Sequence, residues 1–168
     1  MKFRRILSVF LLTVLLSVSF LPTAYAELDL TAEAVLLVDT KDDTILYEKR
    51  ATERMYPASI TKVMTAILVL EAVERGELSM DQMVTVSSGV IENLDPEASN
   101  VGLEPGEQMS VKDLLYCTLL VSACEACDVL AEAVAGTVDA FVVRMNNRAE
   151  QLGMKDTQIG RASCRERV

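Results

Sequence analysis

Ser59 and Lys62 lie three residues apart in the run Tyr56-Pro57-Ala58-Ser59-Ile60-Thr61-Lys62-Val63-Met64-Thr65. On a helix that spacing puts both side chains on one face. A lysine placed there can act as the base that activates the serine as a nucleophile. The chain contains no histidine. A Ser-His-Asp triad, a Cys-His pair and a His-ligated zinc site are therefore excluded within these residues. Each residue also has a plainer reading: Ser59 as an N-terminal helix residue, Lys62 as a solvated helix lysine.

The elements around the pair favour chemistry. From Ser59 to Glu74 the chain reads as helix, stopped by Gly76. Val63, Met64, Ala66, Ile67, Leu68, Val69, Leu70, Ala72 and Val73 leave almost no polar face. A helix apolar nearly all round is a buried one. Ser59 and Lys62 then sit near its N-terminus, where the helix dipole favours developing negative charge. Burial also disfavours the charged form of a lysine.

Upstream, Ala34 to Asp39 and Ile45 to Tyr47 flank the turn-like Lys41-Asp42-Asp43-Thr44 and predict a β-hairpin. Downstream, Val84-Thr85-Val86 is a short strand, 91–102 a polar loop, and Leu103 to Glu107 a turn. Ser110 caps a helix that runs through Leu120. Two more helices are expected, from about Glu125 to Ala135 before Gly136 and from Val138 to Gln151 before Gly153.

The two ends of the chain differ in kind from the middle. Residues 1–26 have a basic start (Lys2, Arg4, Arg5), an apolar stretch from Ile6 to Leu21, and Ala24-Tyr25-Ala26 as a cleavage site. That is the pattern of a secretory signal peptide, so the mature chain is expected to begin at Glu27 outside the cytoplasm. Ile159 to Val168 resembles a translated sequencing adapter, whose codons ATC GGA AGA GCG TCG TGT AGG GAA AGA GTG spell those ten residues. Gln158 is partly included, because the adapter's first two bases complete its codon. Residues 158–168 are accordingly read as a foreign tail.

Removing three basic residues from each end and one acid from the tail leaves 10 Lys+Arg and 24 Asp+Glu in residues 27–158, a net charge of −14. Such a surface repels nucleic acid and anionic lipid. Three cysteines remain there, Cys117, Cys124 and Cys127. An odd number in an exported chain argues against a full disulfide framework. Cys124-Glu125-Ala126-Cys127 has C-x-x-C spacing, but no second pair and no histidine complete a zinc site. The three are read as buried thiols.

Taken in order along the chain, these segments resemble a serine-type D-Ala-D-Ala carboxypeptidase, a low-molecular-mass penicillin-binding protein. The hairpin 35–47 is similar to that family's opening strands, and Tyr56 to Ala66 to its nucleophile motif. Leu103 to Glu107 precedes the next helix as in the family, and Phe141 to Thr157 also fits. Ser122-Ala123-Cys124 sits at the family's S-x-N motif, with Cys124 where the asparagine stands. The resemblance implies an α+β fold over residues 27–157, the N-terminal part of a β-lactamase/transpeptidase-like domain with an antiparallel sheet flanked by helices. The C-terminal strands, among them the K-T-G strand, are missing.

It also implies acyl transfer through a Ser59 acyl-enzyme, with Lys62 as base and Ser122 relaying a proton to the leaving D-alanine. Cys124 takes the substrate-binding asparagine's place, where a thiol is a poor substitute for an amide. The implied substrate is a peptidoglycan stem peptide ending in D-Ala-D-Ala, with β-lactams as inhibitors. No metal or organic cofactor and no nucleic acid are implied. Membrane association would come only from a missing C-terminal segment, and the setting is the extracytoplasmic face of the bacterial membrane or the cell wall. A class A-like β-lactamase and a non-catalytic wall-binding protein of the same fold are the alternatives. The piece alone is expected to be inactive.

Overall fold

The computed structural model describes residues 28–163. The signal-peptide reading at 1–26 and tail residues 164–168, Cys164 included, lie outside the described residues. The chain forms two units that divide between Glu53 and Arg54.

The first unit is the expected hairpin. β1 (Val35–Asp39) pairs antiparallel with β2 (Thr44–Lys49), with a register shift between Leu37 and Val38. Aspartates build its turn. Asp39 accepts from the Lys41 N–H at 2.9 Å and Asp42 from the Thr44 N–H at 3.1 Å, the local bonds that make Asp a turn residue. Two strands cannot cover both of their faces. Leu36, Leu37, Ile45 and Leu46 are each at least half exposed.

The second unit is mostly helical. A single 3₁₀ turn, Ala58–Thr61, leads into α1 (Lys62–Glu74). This corrects the expected α-helical start at Ser59. β3 (Met83–Thr85) pairs antiparallel with β4 (Gln108–Ser110), forming a second two-stranded sheet. Between them α2 (Ser88–Glu92) is capped by the Ser87 hydroxyl, which accepts from the Val90 N–H. The sequence assigns no element to residues 88–90 and a loop from Ile91, so this short helix was not expected.

α3 (Val111–Tyr116) starts at the expected Ser110 cap, whose hydroxyl accepts from the Asp113 N–H. It does not run on as α-helix to Leu120. A π-helical segment, Cys117–Val121, replaces its last turn. α4 (Cys124–Ala135) and α5 (Val138–Gln151) have the expected bounds to within one residue, and Gly136 ends α4 at φ 79°.

α4 packs against α1, α3 and α5, and two apolar clusters result. One joins Val69, Val86, Val111, Leu114, Ala126 and Leu130. The other joins Met64, Leu68, Ala131, Phe141, Met145 and Ile159. Lys62, Met64, Thr65, Ala66, Leu68, Val69 and Ala72 of α1 are buried. The helix is not covered on every side, however. Val63 and Leu70 stay about half exposed and Ile60 is 71% exposed.

Described residues of the adapter-like tail join this core. Ile159 and Ala162 are buried. The Asn146 side chain bonds both the N–H and the carbonyl of Ile159 at 2.8 Å, and the Thr65 hydroxyl donates to the Ala162 carbonyl at 2.7 Å.

Candidate active site

The 3₁₀ turn does more than precede α1. It carries Ser59 and ends at Thr61, so Ser59 lies three residues ahead of Lys62 at the start of α1. The turn is entered through Ala58 at φ 47°, left-handed backbone that a non-glycine residue rarely adopts. Ser59 is exposed, whereas Lys62 at 2% exposure is among the largest fully buried side chains of the described residues.

The third side chain arrives from 63 residues away. In the π segment the backbone N–H bonds reach one residue further back than in an α-helix, and the Ser122 N–H donates to the Cys117 carbonyl. Ser122 follows in the left-handed region, at φ 63° and ψ 30°. Such strained positions concentrate at functional sites. The result is a hydrogen-bonded chain of three groups. Lys62 Nζ donates to Ser122 Oγ at 3.0 Å, and Ser122 Oγ bonds Ser59 Oγ at 2.9 Å.

Cys124 closes the group from the first turn of α4. Its thiol is 3.4 Å from Lys62 Nζ and 3% exposed. The Ala123 cap residue offers no side chain. Instead the Ser99 carbonyl accepts from the Cys124 N–H at 2.8 Å, tying the 93–102 segment to the start of α4. All four residues singled out in the sequence, Ser59, Lys62, Ser122 and Cys124, are thus brought together.

The other cysteines lie apart from this chain of groups. Cys127 donates to the Ala123 carbonyl at 3.2 Å and approaches Thr118 Oγ1 at 3.7 Å, and burial pushes its thiol up to about 12. Burial also raises Cys117, whose sulfur lies 4.0 Å from that of Met109. All three are free thiols.

Two acids that belong to no sequence motif complete the surroundings. Glu125 is fully buried. Its Oε1 accepts from the Val101 N–H at 2.6 Å and the Gly102 N–H at 3.2 Å, while Oε2 has no hydrogen-bond partner. It therefore pins the 93–102 segment a second time. Asp128, one turn beyond Cys124, has a buried Oδ1 without a hydrogen bond. Burial, opposed by Arg161 and Lys62, lifts its carboxyl to about 6. A cleft of about 370 Å³ opens beside these groups, lined by Asn93, Asp95, Ser99, Cys124 and Asp128 among others. The sequence signal for both acids was a charge on a helix whose other early positions are Cys, Ala and Val.

Comparison with known proteins now has a geometry to meet. The sequence model of the D-alanyl-D-alanine carboxypeptidase family matches residues 22–163. The chain belongs to that family. The match covers both the Ser59 turn and the Ser122 segment and runs into the adapter-like tail.

Among its relatives, D-alanyl-D-alanine carboxypeptidase DacF of Bacillus subtilis (strain 168) is 35% identical over 164 residues, 93% of this chain and 41% of that protein. Penicillin-binding protein 5 of Haemophilus influenzae has a TM-score of 0.79 at 32% identity, over 86% of this chain and 42% of that one. A penicillin-binding protein of Listeria monocytogenes in its cefotaxime-bound form has a TM-score of 0.74 at 34% identity, over 85% of this chain and 56% of that one. These likenesses carry the α+β penicillin-binding fold. The chain spans about two fifths of the length of the curated relatives it matches.

Proposed function

We propose that the gene product is a serine-type D-Ala-D-Ala carboxypeptidase acting on peptidoglycan stem peptides. One observation carries this reading most directly: the chain Ser59–Ser122–Lys62, linked at 2.9 and 3.0 Å, in a protein without histidine. Ser59 attacks the carbonyl of the terminal D-Ala-D-Ala bond while its proton passes toward Lys62, which acts as base in its neutral form. Ser122 touches both groups and so can move that proton, first from the nucleophile and later to the leaving D-alanine. The exposure of Ser59 leaves its hydroxyl open to substrate. Water then releases the acyl group.

A β-lactam presents a strained amide to the same serine, which supports β-lactam acylation as the inhibitory reaction. The signal-peptide pattern of residues 1–26 supports a reaction outside the cytoplasm, as does the proposed wall substrate. No helix among the described residues is long and apolar enough to cross a membrane. The exposed Ile60, Val63 and Leu70 around α1, and the open faces of the hairpin, are surfaces that further strands of the relatives' longer domain would cover.

The test is covalent labelling. The full gene product incubated with a fluorescent penicillin should carry the label on the Ser59 peptide, and Ser59→Ala should carry none. Label on a different residue, or equal labelling of Ser59→Ala, would defeat the assignment.

A further inference from the structure

We infer that Cys124 and Lys62 form a modification site, at which a hydroperoxide oxidises the Cys124 thiol and the Lys62 amine then closes on the sulfur as a sulfenamide. The inference starts from two side chains that the sequence separates and the fold presses together. Sγ and Nζ are 3.4 Å apart, both nearly fully buried. Cys124 also lines the 370 Å³ cleft, so a molecule as small as hydrogen peroxide can reach its sulfur.

The neutral Lys62 amine that serves as base toward Ser59 can equally take the Cys124 proton, which leaves an ammonium beside a thiolate, the form that reacts with peroxide. Cys127 feels the Lys62 charge as well, but burial outweighs it, and the Lys62 Nζ contact at 3.4 Å is made by Cys124. Cys127 bonds Thr118 and Ala123 and is held as a thiol by burial, and Cys117 faces Met109. Selectivity for Cys124 follows.

The steps balance. The thiolate attacks one peroxide oxygen, forming S–O and breaking O–O. The departing hydroxide takes a proton from the Lys62 ammonium and leaves as water. Sulfur has lost two electrons and the lysine is now neutral. Its lone pair attacks the sulfenic sulfur, forming S–N and breaking S–O. The departing hydroxyl leaves as a second water with a proton from that nitrogen. Sulfenic acids condense with a nearby nitrogen or thiol, and here the nearby nitrogen belongs to a lysine on a flexible four-carbon stem. Two equivalents of an external thiol reverse the product, restoring thiol and amine and leaving one disulfide.

An asparagine at position 124 could not do this. Cys124, at the family's asparagine position, would thereby let an oxidant remove the base from the Ser59–Ser122–Lys62 chain. That consequence rests on the role proposed for Lys62. The crosslink itself does not.

The experiment reads mass rather than activity, so it stands whether or not Ser59 is acylated. The full chain is treated with hydrogen peroxide, remaining thiols are alkylated, and the protein is digested with trypsin. The Lys62 and Cys124 peptides should appear joined, lighter than their sum by two hydrogens, with cleavage after Lys62 lost and Cys127 alkylated. Dithiothreitol should separate them. Prior unfolding in urea should abolish the crosslink, as should Cys124→Ser or Lys62→Arg. A Cys124–Cys127 disulfide, which also loses two hydrogens but leaves Lys62 cleavable, would overturn the proposal. So would a Cys124 that stays reduced, or one that stops at a sulfinic acid, with Lys62 cleaved normally.

Discussion

Replacing Asp128 with asparagine should stabilise the fold at neutral pH and flatten its response to pH. Burial lifts this carboxyl from an ordinary 3.8 to about 6. Between these values the folded chain holds a proton that the unfolded chain has released. Stability therefore falls as pH rises through that window and levels off above it. A shift of roughly two units is worth about 3 kcal/mol at pH 7. That is a large share of the 5–15 kcal/mol (roughly) that holds a typical domain.

Asp128→Asn should remove this slope. The buried Oδ1 has no hydrogen bond in the parent, and any pH-independent cost of the amide is the same at every pH and leaves the slopes comparable. The assay is denaturant unfolding of both proteins at several pH values from acid to neutral. The stability difference should grow with pH toward about 3 kcal/mol, a rise in midpoint temperature of roughly 2–4 °C per kcal/mol for a chain of this size. Parallel stability curves for Asp128→Asn and the parent would refute the reasoning.

Glu125→Ala strips the acceptor from the Val101 and Gly102 N–H groups; at about 1.5–3 kcal/mol per bond to a charged group, less the relief of an unpaired buried oxygen, the loss should be about 3 kcal/mol. Amide hydrogen exchange should speed up at Val101 and Gly102, and Glu125→Gln, which keeps the accepting oxygen, should recover most of the protection. Lys62→Arg keeps a charge that does not readily leave, so penicillin labelling of Ser59 should fall by orders of magnitude while circular dichroism is unchanged; labelling within a few-fold of the parent would contradict the base assignment. Cys124→Asn in the full gene product restores an amide that can accept from Lys62 and donate into the cleft, and should raise carboxypeptidase turnover of a D-Ala-D-Ala peptide. A drop in turnover would show that the thiol serves the reaction in another way.

Much of this protein follows from local rules in the sequence. Ser110 and Gly136 mark helix ends because a hydroxyl can cap and a glycine can turn left-handed, and both are properties of single residues. The hairpin at 35–49 follows from two β-rich runs around an aspartate turn. The Ser59–Lys62 pairing needed only a spacing of three, which both an α-helix and the observed 3₁₀ turn satisfy. The absence of histidine narrowed the base to lysine before any fold was known.

The rest required distant segments to meet. No local pattern says that Ser122 will touch both Ser59 and Lys62, because its position depends on how α3 and α4 pack on α1. The π segment that turns Ser122 inward looks, in sequence, like the end of an ordinary apolar helix. α2 went unseen because five polar-flanked residues carry no periodicity, and its Ser87 cap was one serine among several. Nothing local marks Glu125 and Asp128 as buried. Burial changes what they do: one fastens the 93–102 segment and the other holds its proton up to about pH 6, since only the packed structure takes their carboxyls out of water. The same packing puts the Cys124 thiol against the Lys62 amine, across 62 residues of sequence. The sequence thus determined which groups are present and which helices carry them; the tertiary structure alone decided which of them share a site and which lose their water.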